Sequence, residues 1–127
     1  MARSNKRDWY VQIDLHGGTN SAVTKPDVES SSYVHRDYLL MYAFYDRVDK
    51  GSYPPDGFSF VQDFVGNITL GMPEADWGMY VNYPDPKMDQ KTAQLNYWGA
   101  HLNKLQTIKK SLDPHDVFHY PQGVLPA

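Results

Sequence analysis

The sequence of 127 residues contains no cysteine. Disulfide bridges, thiolate metal sites and thiol nucleophiles are therefore excluded. The chain also lacks a G-x-G-x-x-G loop for binding phosphates, and no stretch approaches the roughly 18 apolar residues that a membrane span needs. The basic N-terminus is not followed by an apolar segment, so no signal peptide is predicted.

The chain also lacks a large excess of charge of either sign. It has 12 Lys and Arg and 15 Asp and Glu, which gives a formal net charge of −3. We therefore expect neither a nucleic acid nor an anionic membrane as partner. The aromatic residues, in contrast, make up 14% of the chain and include 10 tyrosines. Flat apolar rings that carry hydroxyl groups suit either a core or the stacking of sugars.

The hydrophobic spacing predicts strands and helices of an α+β fold. We expect the helices to cover an antiparallel sheet. The second strand is apolar on both faces, as a covered strand would be. Apolar surface is then left without partners, which is typical of the end of a larger protein. The predicted strands are 9–15, 38–45 and 77–83, the predicted helices are 58–72 and 90–112, and the tail 115–127 is expected to be extended.

The first predicted strand places Tyr10, Gln12 and Asp14 on one face and its apolar residues on the other. By spacing alone this is an ordinary amphipathic strand. His115 and His119 lie four residues apart, but the proline before them disfavours a helix and no third ligand has a suitable spacing, so no metal site is predicted.

Several short motifs follow one another in a fixed order, and together they carry more information than any one of them. They are Gln12-Ile13-Asp14-Leu15, His35-Arg36, Asn82-Tyr83-Pro84-Asp85, Tyr97-Trp98-Gly99, Asp113-Pro114 with Phe118, and Pro121-Gln122. In this order they resemble the berberine-bridge-enzyme-like FAD-linked oxidases, and among them the fungal gluco-, chito- and xylo-oligosaccharide oxidases. The resemblance extends over nearly the whole chain; without it, residues 82–85 would be interpreted as a turn.

The resemblance implies oxidation at the reducing end of a sugar, with transfer of a hydride from the anomeric carbon to FAD. The product is a lactone, and molecular oxygen then reoxidises the flavin to give peroxide. It also implies that Tyr83 is the catalytic base and that Asp14 supports it. A free tyrosine has a pKa of about 10, and a nearby carboxylate raises that value further. Asp14 would therefore accept the phenol proton and orient the ring. The electrostatics of the flavin would supply the remaining activation of Tyr83 as a base.

The remaining site residues are likewise implied by the resemblance. Tyr10 would stack on a sugar ring, Gln12 would bond to a sugar hydroxyl, and Tyr80 would face the substrate. Asn82 and Tyr83 would border the FAD. Ala43 stands where the related oligosaccharide oxidases have glutamine, so the preferred sugar stays open.

By this resemblance, residues 1–7 form a disordered N-terminus, 8–78 part of the substrate domain and 79–127 the berberine-like C-terminal region. The last helix and the tail would return to an N-terminal FAD domain, which these residues do not include. We therefore expect a C-terminal fragment, inactive alone, of a family that is extracellular. Its partners would be that FAD domain, an oligosaccharide and oxygen.

Two alternatives stay open from the sequence. The protein could act on an alcohol or an aromatic metabolite instead of a sugar, or be a non-catalytic carbohydrate-binding remnant. The leading interpretation predicts a hydrogen bond between Tyr83 and Asp14, with about 2.5–3.0 Å between their oxygens. It also predicts an exposed patch bordered by Tyr80, Asn82 and Tyr83. Asn67 begins an N-glycosylation tripeptide, although inside a predicted helix.

Overall fold

The computed structural model describes residues 7–73 and 76–127, which form two units. The first unit comprises the described parts of Met1–His16 and Tyr38–Trp77, and the second comprises Gly17–Asp37 and Gly78–Ala127. The elements in chain order are strands β1 (Asp8–Leu15) and β2 (Leu40–Arg47), and helices α1 (Gly57–Ile68), α2 (Gln90–Trp98) and α3 (Leu102–Leu112). The predicted α+β class is confirmed.

The first unit is an antiparallel pair of strands with a helix on one face. β1 and β2 pair in a register that sets Tyr10 opposite Tyr45 and Gln12 opposite Ala43. Trp9, on the other face of β1, packs against Phe60 and Phe64 of α1, with ring centroids 5.8 and 5.3 Å apart. Because side chains alternate along a strand, the helix covers the Trp9 face and leaves the Tyr10 face uncovered by α1.

Residues 1–6 of the predicted disordered N-terminus lie outside the described residues. Arg7, the last residue of that segment, forms an ion pair with Asp46 at 3.5 Å and lies 4.8 Å from the centroid of the Phe60 ring. Arg7 thus connects the start of β1 to α1 through a cation–π contact with Phe60, and to β2 through its ion pair with Asp46.

The predicted third strand, residues 77–83, is wrong. The part of it in the second unit ends in a turn in which the Tyr83 N–H donates to the Tyr80 carbonyl oxygen at 2.9 Å. Among the described residues the sheet therefore has two strands rather than three. Aromatic and apolar composition favoured a strand there, whereas Asn82 and Pro84 are residues that turns prefer.

The predicted last helix starts and stops where expected but is not continuous. Asp89 caps its N-terminus by accepting a hydrogen bond from the Thr92 N–H, and α3 ends directly before Asp113. Between them, Gly99 adopts a φ of +46°, which ends α2, and a short 3₁₀ turn leads into α3. A residue without a Cβ reaches this conformation at little steric cost, so the glycine separates one predicted helix into two.

The expectation of an extended tail is also wrong, because an ion-pair cluster holds its first turn against α3. The ammonium of Lys109 contacts the carboxylates of Asp113 and Asp116 and donates to the Phe118 carbonyl oxygen at 2.7 Å. Asp113 in turn accepts hydrogen bonds from the backbone N–H groups of Val117 and Phe118. These bonds replace the helix hydrogen bonds that end at Asp113.

This cluster predicts a specific loss of stability in acid. Bonding to Lys109 and to the two N–H groups lowers the pKa of Asp113 from 3.8 to about 2. A folded-state pKa below the unfolded value stabilises the fold above about pH 4, and this stabilisation is lost as the pH falls towards 2. Between pH 5 and pH 2 the urea midpoint should fall further in the wild type than in Asp113→Asn.

Asp63→Asn, at an exposed carboxylate of α1, is the matched control and should keep the wild-type acid dependence. Equal acid dependence in Asp113→Asn and the wild type would contradict the assignment of this stabilisation to Asp113.

Candidate functional site

The uncovered face of β1 carries the three residues that the sequence placed there. The Tyr10 ring stacks on Tyr45 of β2, with centroids 4.9 Å apart and planes inclined by 18°. The Gln12 amide donates to the Asp14 carboxylate at 2.9 Å, to Oδ2. The pleat of β1 places the alternate residues on one face, so an aromatic pair, an amide and a carboxylate follow one another along 8 residues of strand.

This face has the chemical character of a sugar-binding surface. Tyr10 is 51% exposed and offers a flat ring, while Gln12 and Asp14 supply planar hydrogen-bonding groups beside it. Pyranose rings present an apolar face and a rim of hydroxyl groups, which such a combination of aromatic and polar groups can bind. Opposite Gln12 lies Ala43, so β2 adds no polar group at that position.

A second group of predicted residues comes together in the turn at Tyr80–Tyr83, which we call the tyrosine turn. The rings of Tyr80 and Tyr83 meet edge to face, with centroids 5.3 Å apart. The Asn82 side-chain amide donates to the Tyr80 hydroxyl at 2.7 Å. Tyr83 is 38% exposed and Val81 37%, so the turn presents an aromatic and an apolar side chain to its surroundings.

Sequence reasoning missed Tyr33, which contacts the tyrosine turn from a segment that was interpreted only as a polar loop. Its ring meets the Tyr80 ring edge to face at 5.9 Å, and the Arg36 guanidinium lies 5.8 Å from its centroid. Burial and the neighbouring Tyr80 raise the pKa of Tyr33, against the opposing charge of Arg36. An aromatic residue three positions before an arginine was the available signal.

Tyr33 and Tyr80 share a cavity of about 260 Å³ in the second unit. Half of the side chains that line it are tyrosines, and the complete lining is Ser32, Tyr33, Tyr80, Val81, Tyr97 and Trp98. The predicted substrate residue Tyr80 therefore lines the same cavity as Tyr97 and Trp98 of α2.

Asp14 belongs to the first unit and Tyr83 to the second. The predicted hydrogen bond between them stays a prediction. Among residues 7–73 and 76–127, no three His, Cys, Asp or Glu side chains cluster as metal ligands would. No helix within those two ranges has both the length and the apolar character of a membrane-crossing segment.

The tyrosine turn has groups that fit the edge of a flavin. The exposed Tyr83 ring offers a flat apolar surface, and the exposed Asn82 side chain has an amide oxygen that can accept a hydrogen bond. Flavin rings combine a flat aromatic surface with an edge of donors and acceptors, so both groups match. With no cysteine in the chain, a thioether bond to the flavin cannot come from these residues.

The chain is similar to known proteins in both sequence and fold. Residues 79–125 match the family model described as berberine and berberine like. The carbohydrate oxidase of Microdochium nivale is 46% identical over 97% of this chain. The solved structure of the xylooligosaccharide oxidase from Myceliophthora thermophila, in complex with xylobiose, matches 99% of the chain at 46% identity with a TM-score of 0.88.

A solved glucooligosaccharide oxidase of Acremonium strictum, described with 6-S-cysteinyl, 8α-N1-histidyl FAD, matches 96% of the chain at 40% identity with a TM-score of 0.87. This chain spans about a quarter of the length of the relatives that it matches, 26% of the Microdochium protein and 27% of the two solved chains. Both the predicted motifs and the structural matches extend over nearly all of its residues. Residues 79–125 therefore form a berberine-like family domain, and the chain as a whole is related to fungal FAD-linked carbohydrate oxidases.

Proposed function

We propose that this chain supplies the substrate-binding face and the catalytic base of an FAD-dependent oxidase. The reaction converts the anomeric carbon of an oligosaccharide to a lactone and reduces oxygen to hydrogen peroxide. The observation that carries the proposal is the uncovered face of β1, where the stacked Tyr10 and Tyr45 rings adjoin Gln12 and Asp14. The similarity to carbohydrate oxidases over nearly the whole chain supports it.

In this reaction the chain's own residues bind the sugar and move one proton. FAD, when bound beside Tyr83, supplies the acceptor for the hydride that leaves C1. The C1 hydroxyl must lose a proton in the same step, so a base has to lie within hydrogen-bond reach. Asp14 accepts the phenol proton of Tyr83, and the Tyr83 oxygen then takes the proton of the C1 hydroxyl.

The other residues orient the substrate. Tyr10 stacks on a sugar ring, Gln12 binds a sugar hydroxyl, Tyr80 faces the reacting sugar, and Asn82 borders the flavin. We further propose that these residues act only together with an FAD domain outside this chain, since the matched relatives are about four times as long. We also propose that the complete protein is extracellular, as the resemblance to the family implies.

The test is to purify both the complete protein and the isolated 127-residue chain. The complete protein should show flavin absorbance and release peroxide from cello- or xylo-oligosaccharides, and the isolated chain should do neither. Peroxide from aryl alcohols but from none of the sugars would replace the carbohydrate with another substrate class. Sugar binding without flavin in the complete protein would make it a binding protein.

The stacking role predicts a change in KM rather than kcat for Tyr10→Ala. The ring is half exposed at the uncovered face of β1 and contacts Tyr45, so its loss removes apolar surface that binds substrate and transition state alike. We expect KM for a long oligosaccharide to rise roughly tenfold with kcat nearly unchanged.

Tyr53→Ala is the control, because Tyr53 is similarly exposed but lies on the helix side of the same unit, where its hydroxyl bonds to Asp46. It should leave KM unchanged. An unaltered KM in Tyr10→Ala would remove this residue from the sugar-binding surface.

A further inference from the structure

A glutamine in the tail occupies a central place in the second unit. Gln122 is only 5% exposed, and all of the polar atoms of its side chain are used. Its amide N–H groups donate to the carbonyl oxygens of Asp85 at 2.6 Å and Met88 at 2.9 Å. Its carbonyl oxygen accepts the hydroxyl of Tyr97, a residue of α2 that is 2% exposed, at 2.8 Å.

These bonds reach the tyrosine turn along the backbone. The Asp85 carbonyl is two residues from Tyr83, and between them lies Pro84, whose ring fixes one of the backbone torsions. Asp85 is itself held in a second turn, since its carbonyl accepts the Met88 N–H at 3.1 Å and its side chain accepts the Lys87 N–H at 2.8 Å. Gln122 therefore fixes the far end of a short and stiff segment that begins at Tyr83.

A second connection passes through the aromatic ring of Tyr97. Its hydroxyl bonds to Gln122, and its ring lines the cavity that Tyr80 also lines. A change at Gln122 thus reaches the tyrosine turn from two directions, through the Asp85 backbone and through a wall of the cavity. Since buried polar groups rarely stay unpaired, all of these bonds should persist or be lost together.

We propose that Gln122 is a positioning residue, which holds the tyrosine turn in the geometry that its catalytic role requires. Its effect on oxidation rests on the proposed function, whereas its effect on the turn does not. It touches neither the substrate nor the cofactor, and acts through Asp85, Met88 and Tyr97. The tail, which sequence analysis interpreted as an extended segment, is then part of the support of the active site.

Gln94 provides a closely matched control. It is also a buried glutamine, 4% exposed, and it also holds the tail, by donating to the carbonyl oxygen of Gly123. Its amide bonds to the tail itself, and not to the carbonyl oxygens of Asp85 and Met88 that Gln122 binds. Gln94→Met and Gln122→Met therefore remove the same amide from the same region, but only the second releases the segment that carries Tyr83.

The first experiment measures hydrogen exchange by NMR at the Tyr83 N–H, which donates to Tyr80. It uses the 127-residue chain. We expect exchange in Gln122→Met to be faster than in the wild type by about tenfold or more, and in Gln94→Met by less than about threefold. Tyr97→Phe, which deletes one hydroxyl and retains the ring, covers the case in which Gln122→Met does not fold, and should give an intermediate increase. Equal increases in both glutamine variants, or no increase in Gln122→Met or Tyr97→Phe, would overturn the proposal.

The second experiment measures kinetics in the complete flavoprotein. For Gln122→Met we expect kcat per bound flavin to fall by about tenfold, with a smaller rise in KM, because the base and Tyr80 are displaced while the β1 face is untouched. Gln94→Met should retain both constants. A parallel change of kcat in the two variants would reduce Gln122 to a structural role. If the wild-type protein oxidises no sugar, the proposed function fails, and hydrogen exchange alone decides on Gln122.

Discussion

Tyr83→Phe is expected to lower kcat of the complete oxidase by about 10²–10⁴-fold, the range in which a general base contributes. The substitution deletes one oxygen atom and retains the ring that meets Tyr80 at 5.3 Å. It also keeps the backbone bond that closes the tyrosine turn. Folding and flavin content should therefore be unchanged, and the loss should appear in turnover at saturating oligosaccharide.

Three further variants distinguish the loss of a base from a general disturbance of this turn. Tyr80→Phe removes the hydroxyl that accepts from Asn82, and should raise KM more than it lowers kcat, because Tyr80 is assigned to binding. Asp14→Asn should lower kcat, as it removes the acceptor of the phenol proton. Asp8→Asn, on the same face of β1 but paired with Arg47, should leave kcat unchanged. Retention of wild-type kcat by Tyr83→Phe would exclude Tyr83 as the base.

The error at residues 77–83 has a physical cause in tertiary packing. Local composition favoured a strand at residues 77–83, since aromatic residues fit a pleated, half-buried surface. A strand needs a neighbour, however, and in the structure the tyrosines of this segment instead pack on one another and on Tyr33. Packing partners that are distant in sequence cannot be deduced from the periodicity of one segment.

The errors in the last helix and in the tail arose from single residues, whose effects the hydrophobic periodicity does not reveal. The apolar spacing continues through Gly99, but the positive φ of this glycine ends the helix there. In the tail, proline content suggested extended chain, whereas the polar contacts of Lys109 and Gln122 fold it back. Such long-range polar bonds have no period in the sequence.

For the candidate site, the alternation of β1 was enough to place Tyr10, Gln12 and Asp14 together. The tyrosine turn was located only through the family resemblance, because its spacing alone indicates an ordinary turn. Neither route assigned a role to Tyr33, or to Gln122 of the Pro121-Gln122 motif. Each acts through contacts with residues 25 or more positions away, and these become visible only in the fold.

Phe64→Ala should cost the most stability of any single truncation in α1. Its ring contacts three other rings, those of Trp9, Phe44 and Phe60, with centroids 5.2 to 5.8 Å away. Fully buried Phe→Ala changes cost about 3–5 kcal/mol. Phe64 is only half-buried, so we expect a loss of about 2–3 kcal/mol in the free energy of unfolding. Urea denaturation followed by circular dichroism measures it as a lower midpoint.

The same helix contains the control, Phe58→Ala. Phe58 is 37% exposed and its ring meets Tyr53 at 5.5 Å, outside the group that joins α1 to the strands. Its truncation should cost about 1 kcal/mol, as less apolar surface is returned to water. If the two substitutions lower the midpoint equally, the aromatic group is not what holds α1 to the sheet. A larger loss for Phe64→Ala would show that packing fixes α1 to the face of β1 opposite Tyr10.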